Sequence, residues 1–422
     1  MNIKFIIMSV LAVFLFQIVL GNNVRINKEP WNTYITKIAI GGINYDLQLS
    51  IGTSLTMVIS RECAHCEEHR NPYNLDSSTF GVITVNSEQC WSTDVYESNE
   101  CGFLYEGFDE YEAKGALSLE TIRVGMFSMS EVIFGRIFHE NQKLNIDGIF
   151  GIGQHNLKRN YGPSLLDLLV ANEHIRDVFS FCMTSEKDKE GFLTFGGFDS
   201  EYYHISDFKL FPIDYNDRYS IPVISIFLNN SEFWNGEIEG ILETRIPYIL
   251  LPEKLFSHFI ASLSAYYGTD CDPLLCTKTN NTFYGNSIPS TPAKFPKLTF
   301  TLSNKSTLKI DINEIFMKCL NSNDYCSIIK FFPEDYIVLG APVLEKFYVT
   351  IDTESRLIGL AEVSACAQPL ILSRFSTWED SSWASSFKLT MILTAIGMIA
   401  VIIWYCGKSY ELEYEIIHAD DE

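Results

Sequence analysis

Two short loops, each following an apolar run, carry the residues whose types and spacing could do chemistry. The first loop is Gly52-Thr53-Ser54, within the stretch LSIGTSLTMVIS, and the second loop is Glu243-Thr244-Arg245. The carboxylate of Glu243 could act as a general base on a bound water. The equivalent position of the first loop is Gly52, which brings no acid. The sequence therefore predicts one carboxylate where a symmetric site would have two.

A weak internal repeat surrounds these loops. Each is followed, about a hundred residues later, by an apolar pair and a glycine, in DGIFGIG (Asp147 to Gly153) and in DYIVLGAP (Asp335 to Pro342). Two copies of one arrangement predict two β lobes that face each other. The join between them is expected somewhere near 211–220.

The rest of the chain between its hydrophobic ends has a strand-like pattern. Short runs rich in Ile, Val, Phe, Tyr and Thr alternate with turn residues, as in YITKIAIGGINYDLQLSIG and KFPKLTFTLSNKSTLKIDI, which is typical of strands. Only GPSLLDLLVANEH and LPEKLFSHFIASLSAYYG combine helical spacing with a proline near the start. The sequence predicts a mostly-β protein with a few surface helices.

Length and charge exclude one class of partner. The chain has 422 residues, which is room for two large lobes, and a net charge of −22. Phosphate binding needs a basic footprint, so nucleic acid is not expected as a partner.

Two apolar segments predict a membrane topology. Residues 1–21 have one lysine and then a long apolar run, which is typical of a secretory signal peptide; a first-pass transmembrane anchor is the alternative. Leu389–Cys406 could span a bilayer once, with Trp404 and Tyr405 at the interface; a buried core helix is the alternative. We expect a single-pass type I membrane protein of the secretory pathway, cell surface or endosomal or lysosomal membrane.

The C-terminal part divides accordingly into a juxtamembrane linker (371–386), a transmembrane helix (387–406) and an acidic cytoplasmic tail (407–422). Within the tail, Tyr414 and Ile417 fit a tyrosine-x-x-apolar sorting signal, which an adaptor would bind as an extended peptide. The expected partners are thus the membrane and a sorting adaptor, and the protein would cycle through endosomes.

Ten of the eleven cysteines precede the membrane segment. An even number in an exported region predicts disulfides, although their pairing cannot be read from one sequence. The disulfide candidates are Cys63, Cys66, Cys90, Cys101, Cys182, Cys271, Cys276, Cys319, Cys326 and Cys366. The glycosylation candidates, in Asn-x-Ser/Thr triplets, are Asn229, Asn280 and Asn304.

Other catalytic constellations find little support. The stretch CAHCEEH holds Cys63, His65, Cys66 and His69, which could be read as a metal site or a redox motif. Neither Gly-x-Ser-x-Gly nor His-Glu-x-x-His occurs. No metal and no cofactor are expected.

Five segments in a fixed order make residues 34–366 resemble the pepsin-like aspartic proteases. They are YITKIAIGGINYDLQLSIGTS, DGIFGIGQ, LLDLLVANEHIRDVFSFCM, GFLTFGGFDSEYYHISDFKLFPI and IVLGAPVLEKFYVTIDTESRLIGLAEVSAC. The membrane anchor and the AEVSAC ending are similar to those of the beta-secretases. The resemblance implies two β-barrel-like lobes (34–212 and 213–370) with a substrate cleft between them, in addition to the C-terminal transmembrane helix. It also favours a disulfide over a metal site at CAHCEEH, since the family places disulfide cysteines there.

The chemistry implied by the resemblance needs two Asp-Thr-Gly loops. Their carboxylates hold one water and share one proton, because two like charges that close cannot both ionise. Here Gly52 and Glu243 stand at the aspartate positions, and Arg245 replaces the second glycine. Thr53 and Thr244 remain, which is consistent with bracing the two loops.

The missing acid has no evident replacement. Asp46 lies six residues before Gly52, and strand alternation places it far from the loop tip. Arg245 is expected to favour the ionised state of Glu243, which opposes proton sharing. Aspartic-protease chemistry is therefore not expected.

Two further departures accompany this loss. The family's basic propeptide has almost no room here, because only the short segment 22–33 separates the signal peptide from the first expected strand at Tyr34. The hairpin LYEGFDEYEAKGALSLE offers Tyr105 as the flap tyrosine that the family places over the substrate, although the hairpin is longer than usual.

The sequence thus favours a catalytically inactive, membrane-anchored pepsin-fold protein that binds a peptide or protein in its cleft. The alternative is an atypical endopeptidase that uses Glu243 with a second, unidentified acid.

Overall fold

A computed structural model gives the structure of the chain. It describes residues 23–29, 33–63, 66, 71–92, 99–154, 161–173, 175–184, 190–198, 208–213, 218–267, 284–285, 297–311, 316–318, 325–327, 329–363 and 366. Contacts group Met1–Cys366 into one compact unit and Ala367–Glu422 into a second, none of which is described.

The described fold is mostly β. The first twelve strands are β1 (Asn23–Glu29), β2 (Thr33–Ile40), β3 (Ile43–Ser50), β4 (Met57–Ile59), β5 (Gly81–Val82), β6 (Gly102–Glu106), β7 (Glu112–Val124), β8 (Phe127–Glu140), β9 (Gly148–Gly151), β10 (Val178–Cys182), β11 (Gly191–Phe195) and β12 (Lys209–Pro212). The other twelve are β13 (Ser220–Leu228), β14 (Ser231–Leu242), β15 (Ile249–Pro252), β16 (Tyr284–Gly285), β17 (Lys297–Leu302), β18 (Thr307–Asp311), β19 (Phe316–Lys318), β20 (Tyr325–Ser327), β21 (Ile329–Phe332), β22 (Ile337–Leu339), β23 (Phe347–Asp352) and β24 (Leu357–Glu362).

The helices of the described residues are α1 (Leu165–Glu173), α2 (Glu253–Tyr267) and α3 (Ala341–Leu344). The first two confirm the helices predicted from 3-4 spacing. Ser164 and Asp167 form a reciprocal capping box at the start of α1, with the Ser164 hydroxyl accepting from the Asp167 amide at 3.1 Å.

The internal repeat corresponds to a repeated strand arrangement. In the first half, β3 runs parallel to β9, β9 pairs antiparallel with β4, and β4 runs parallel to β8. In the second half, β14, β22, β15 and β21 repeat this order and these directions. Each loop follows the first strand of its set, so the two lobes present equivalent loops. The bilobal, mostly-β prediction is confirmed.

The strands that carry the loops are buried on both faces. Leu47, Leu49 and Ile51 are at most 1% exposed, and so are Ile241 and Leu242. Parallel strands in the middle of a sheet read as near-continuous apolar runs for this reason. The apolar core therefore continues up to the base of both loops.

Strands from both ends of the chain share one sheet. Its order runs β12-β24-β23-β10-β11-β1 before it continues into the strands of the first lobe. Strands β23 and β24, whose residues were assigned to the second lobe, thus pair with strands of the first lobe. The chain enters the second, seven-stranded sheet at β13, within the expected join at 211–220.

The prediction that the first strand begins at Tyr34 is wrong. Asn23–Glu29 already forms β1, which pairs with β11 and then with β2. Val24 and Ile26 are buried and Arg25 between them is exposed. All the other residues of this strand are polar or charged, which hides it in the sequence. Pairing with β11, far along the chain, supplies its hydrogen bonds, so these residues are part of the shared sheet.

Three disulfides lie among the described cysteines, namely Cys63–Cys66, Cys90–Cys101 and Cys182–Cys366. The first confirms the disulfide interpretation of CAHCEEH, because it uses both thiols that a metal or a reduced redox pair would need. Cys326 lies on β20, and Cys271, Cys276 and Cys319 lie outside the described residues.

Within the described part of the chain, no helix has the length and apolar character needed to cross a bilayer. The predicted signal peptide (1–21), transmembrane helix (387–406) and tail motif (Tyr414, Ile417) all lie outside that part, as does Asn280.

Candidate functional site

Hydrogen bonds across the lobes hold the two loops together. The hydroxyl of Thr244 donates to the Leu49 carbonyl at 2.8 Å, and Gln48 Nε2 donates to the Arg245 carbonyl at 3.0 Å. The Thr53 hydroxyl instead accepts from the Leu55 amide, 3.2 Å away in its own lobe. At these atoms, the hydrogen bonds between the lobes therefore join the second loop to β3.

The Glu243 carboxyl lies directly over Gly52. It is 1% exposed and accepts hydrogen bonds from the Arg245 amide (2.9 Å) and from the Ser50 hydroxyl (3.1 Å to Oε1). A β-carbon built on Gly52 would stand 1.8 Å from Glu243 Oε2. The longer side chain of glutamate thus reaches across into the space that any side chain at position 52 would enter.

Burial has the largest effect on the pKa of Glu243. Desolvation raises its pKa, and this outweighs the opposing effects of the Arg245 charge and of the hydrogen bonds from the Arg245 amide and Ser50. Arg245 thus favours the ionised state of Glu243, as expected, but its effect is smaller than that of burial. The Arg245 guanidinium is directed to another carboxylate.

That carboxylate belongs to Asp109, which lies in the turn 107–111 between β6 and β7. We call β6, this turn and β7 together the cleft hairpin. Both Asp109 oxygens accept from Arg245, one of them at 3.0 Å, and Arg245 Nε donates to the Tyr105 hydroxyl at 3.0 Å. A β-carbon on Gly107 would stand 2.0 Å from Arg245 Nη2. Glycine at 107 therefore leaves room for the guanidinium beneath the turn.

The Arg245–Asp109 pair is charged. Burial alone would raise the pKa of Asp109, but the charge and hydrogen bonds of Arg245 outweigh it and lower that pKa. Burial likewise opposes the charge on Arg245, yet Tyr105, Asp109 and Glu243 together raise its pKa well above the ordinary value. A bidentate guanidinium–carboxylate pair in this setting fixes geometry as well as charge.

An aromatic cluster holds the other side of the cleft hairpin. The Phe108 ring lies 6.3 Å from the rings of Phe332 and Tyr336, which are 5.4 Å apart. The Arg218 guanidinium lies over Phe108 (4.9 Å) and Tyr336 (5.2 Å). The hairpin of the first lobe is therefore packed against the second lobe at its turn.

A cavity of about 490 Å³ remains between the loops and the cleft hairpin. Its lining residues are Gly52, Thr53, Ser54, Leu104, Tyr105, Glu106, Gly107, Phe108, Asp109, Glu110, Tyr161, Arg218, Glu243, Tyr248, Leu250, Lys330, Phe331, Phe332, Pro333, Glu334 and Tyr336. The lining combines aromatic rings with charged and hydroxyl side chains, so the cavity offers both apolar and polar contacts to a ligand.

The structure thus brings together most of the predicted site residues. Gly52, Thr53, Glu243 and Tyr105 line the cavity, and Thr244 and Arg245 lie buried beside it. Asn229, at the β13–β14 turn, accepts from the Lys297 amide through its side-chain oxygen, and Asn304 lies in the exposed turn before β18. Asp46 lies on β3 opposite Lys37, outside the cavity lining.

Sequence reasoning missed Asp109, Lys330 and Arg218. Two features of the sequence could have indicated Asp109. It lies four residues after Tyr105 in the hairpin proposed as the flap, and the second loop carries an arginine, Arg245, at a glycine position. No such feature indicates Lys330 or Arg218, because only the fold brings them to the cavity.

Comparison with known proteins identifies the same region. The family model "Eukaryotic aspartyl protease" matches residues 33–363. Pepsin A-5 of Mus musculus is 24% identical over 356 residues, covering 80% of this chain and 84% of the relative. Plasmepsin VI of Plasmodium berghei is 23% identical over 375 residues (78% and 74%), and an acid protease of Saccharomycopsis fibuligera is 22% identical over 349 residues (79% and 82%).

Proposed function

Because this chain belongs to the eukaryotic aspartyl protease family, we propose that it is a member without acid proteolysis that binds a peptide or protein in its cleft. The observation that carries the proposal is the position of Glu243. Its carboxyl fills the space above Gly52, so one carboxyl occupies the place of a pair. The two-acid device needs one proton shared by two carboxyls around a water.

The surroundings of Glu243 support the same conclusion. Its hydrogen bonds within the described residues come from Ser50 and from the Arg245 amide, and no carboxyl contributes one. Braced loops and a cavity are present, and they are the parts that binding requires. A cleft that loses only its reacting atoms keeps its capacity for recognition.

Acid-pH peptide cleavage by the purified full-length chain in detergent tests the loss of chemistry. We expect no turnover of a mixed fluorogenic peptide pool at pH 4, and the same background for Glu243→Ala as for wild type. Asp46→Asn is the matched acid control. Turnover that Glu243→Ala abolishes and Asp46→Asn leaves intact would reverse the proposal.

Selection of random octapeptides displayed on phage tests binding. Wild type is expected to enrich a set of related sequences. Tyr248→Ala, which removes a half-buried ring from the cavity wall, should weaken those peptides about tenfold in fluorescence anisotropy, since interface aromatics carry much of the binding energy. Exposed Leu210→Ala serves as the control. Failure to enrich any sequence over an empty support would contradict the proposal.

Asp109 favours one alternative, an atypical endopeptidase. The pKa of Glu243 is raised and that of Asp109 is lowered. Where the environments of two carboxyls push their pKa values apart, one can act as the general acid and the other as the general base. Both Asp109 oxygens are occupied by Arg245, however, which is why we rank this function second. It requires that Asp109→Asn and Glu243→Ala each abolish the same turnover.

We also propose that the protein is exported and anchored by its C-terminal segment. The three disulfides support an oxidising compartment. Protease protection of sealed microsomes, with antibodies to the two ends of the chain, tests the topology. A C-terminus protected inside the vesicles would contradict it.

A further inference from the structure

Two cations line the second-lobe wall of the cavity without a carboxylate partner among the described residues. Lys330 lies on β21 and Arg218 precedes β13, and both are half-buried. The Lys330 ammonium lies 3.3 Å from the centroid of the Tyr248 ring, and Arg218 lies over Phe108 and Tyr336. Neither forms an ion pair with any carboxylate that the structure describes.

Partial burial separates these two cations from the exposed unpaired lysines of the described residues, such as Lys37 and Lys309. Acids outnumber bases by 53 to 31, so a lysine has many possible acidic partners. Arg245, on the same side of the cavity, has its carboxylate in Asp109. Enclosing a cation without a counter-charge costs free energy. At Lys330, burial accordingly lowers the pKa of the ammonium group to about 8.

We propose that the cleft binds an acidic peptide, and that a ligand carboxylate pairs with Lys330 while an adjacent aromatic or apolar side chain packs on the Phe108–Phe332–Tyr336 cluster. This inference rests on the proposed binding function and specifies its ligand. Arg218 is the second cation available to the same ligand. The aromatic rings supply the apolar contact, and Lys330 and Arg218 supply positive charge on the second-lobe wall of a cavity that five acidic side chains also line.

Other charged groups near Lys330 do not replace the ligand. Asp109 and Glu110, in the turn of the cleft hairpin, act on the lysine through space and favour its charged form. Asp109 is already bound to Arg245, Glu110 is exposed, and Glu334, in the turn after β21, is exposed as well. The Tyr248 ring contacts the ammonium from the loop before β15.

Peptide selection distinguishes the failure of this inference from that of the proposed function. The probe is an octapeptide library displayed on phage, selected on the full-length chain at pH 7. Wild type should enrich Asp or Glu beside an aromatic residue, and Lys330→Gln should lose that acidic preference. Lys309→Gln, which changes an exposed lysine on β18, should keep it. Circular dichroism checks that each variant is folded.

Enrichment of neutral or basic peptides by wild type would overturn the acidic-ligand inference and leave the binding function in place. Enrichment of no sequence would overturn both. Acidic enrichment that persists in Lys330→Gln and vanishes in Arg218→Gln would overturn the assignment to Lys330.

The pH dependence of peptide binding tests the pairing, because a lysine with only a structural role would not change it. For the best enriched peptide and its Glu→Gln counterpart, fluorescence anisotropy should give about tenfold tighter binding of the acidic form at pH 7. Pairing stabilises the charged lysine, so this advantage should be constant below pH 8 and decline as the pH rises above it. An advantage that is independent of pH from 6 to 10 would contradict the pairing.

Discussion

At the scale of single residues, Gly52 and Glu243 form a matched pair. The glutamate carboxyl needs the volume that glycine leaves empty, and it meets hydrogen-bond donors there from Ser50 and the Arg245 amide. A side chain at 52 and a glutamate at 243 exclude each other in this arrangement. Restoring one aspartate alone would therefore not restore a pair of acids.

Gly52→Ala should lower the free energy of unfolding by about 1–3 kcal/mol, the usual cost of an added methyl group in a packed site. In a Glu243→Ala background the cost should largely vanish, because the atom that the methyl group meets is gone. Urea unfolding of both single variants and the double variant gives the coupling between them.

Gly197→Ala is the control for this cycle, since a β-carbon there would meet no atom within 4 Å. Equal losses from Gly52→Ala with and without Glu243 would show that the two residues do not share this space.

The raised pKa of Glu243 predicts how stability depends on pH. A carboxyl whose pKa is higher in the folded protein contributes stability below its unfolded pKa, and that contribution is lost as the pH rises through the folded pKa. Glu243→Gln should therefore gain stability over wild type between pH 4 and pH 8, as measured by urea midpoints. Exposed Glu237→Gln, on the same strand, should show no such trend. A trend of the opposite sign would mean that Glu243 is bound as a carboxylate.

At the scale of elements, the cleft hairpin is held by contacts to both lobes. Arg245 of the second lobe binds Asp109, and Asn141 and Gln142 of the first lobe donate to the carbonyls of Glu110 and Asp109. Because the pKa of Asp109 is lowered, its ion pair is lost only as the pH falls through that lowered value. The hairpin should stay closed at mildly acidic pH.

Asp109→Asn should raise amide hydrogen exchange in residues 104–112 by about tenfold or more, because a neutral amide cannot form the bidentate charged pair. Exchange is measured by mass spectrometry at pH 5 and pH 7, with Asp46→Asn as the control. Unchanged protection in Asp109→Asn would show that the Phe108 cluster alone holds the hairpin.

The sequence predicted the elements that local patterns and internal repetition specify. α1 and α2 followed from apolar spacing, and the two loop frames followed from the repeat in which each loop is followed, about a hundred residues later, by an apolar pair and a glycine. β1 was missed because its stability depends on pairing with β11, more than 160 residues away. Asp109 was missed for a related reason, since its partner Arg245 lies on the other lobe and no local pattern connects them.

At the scale of the whole molecule, the two lobes retain equivalent frames. Parallel pairs β3–β9 and β14–β22 set the position of each loop, and hydrogen bonds from Thr244 and Gln48 join the loops. At the loops themselves, this chain departs from two Asp-Thr-Gly sequences at Gly52, Ser54, Glu243 and Arg245. Three substitutions would address the two acid positions and the arginine, with Ser54 left in place.

The variant Gly52→Asp/Glu243→Asp/Arg245→Gly should gain acid-pH peptide cleavage. Shortening Glu243 clears the space for an aspartate side chain at position 52, and removing the guanidinium releases the cleft hairpin and the charge that would pair with either acid. The matched control is Gly52→Ala/Glu243→Asp/Arg245→Gly, which keeps one acid only. We expect at least about a hundredfold difference in turnover at pH 4 between the two, the usual scale of acid–base catalysis. Equal turnover by two folded variants would mean that features of the cleft beyond these loops limit catalysis.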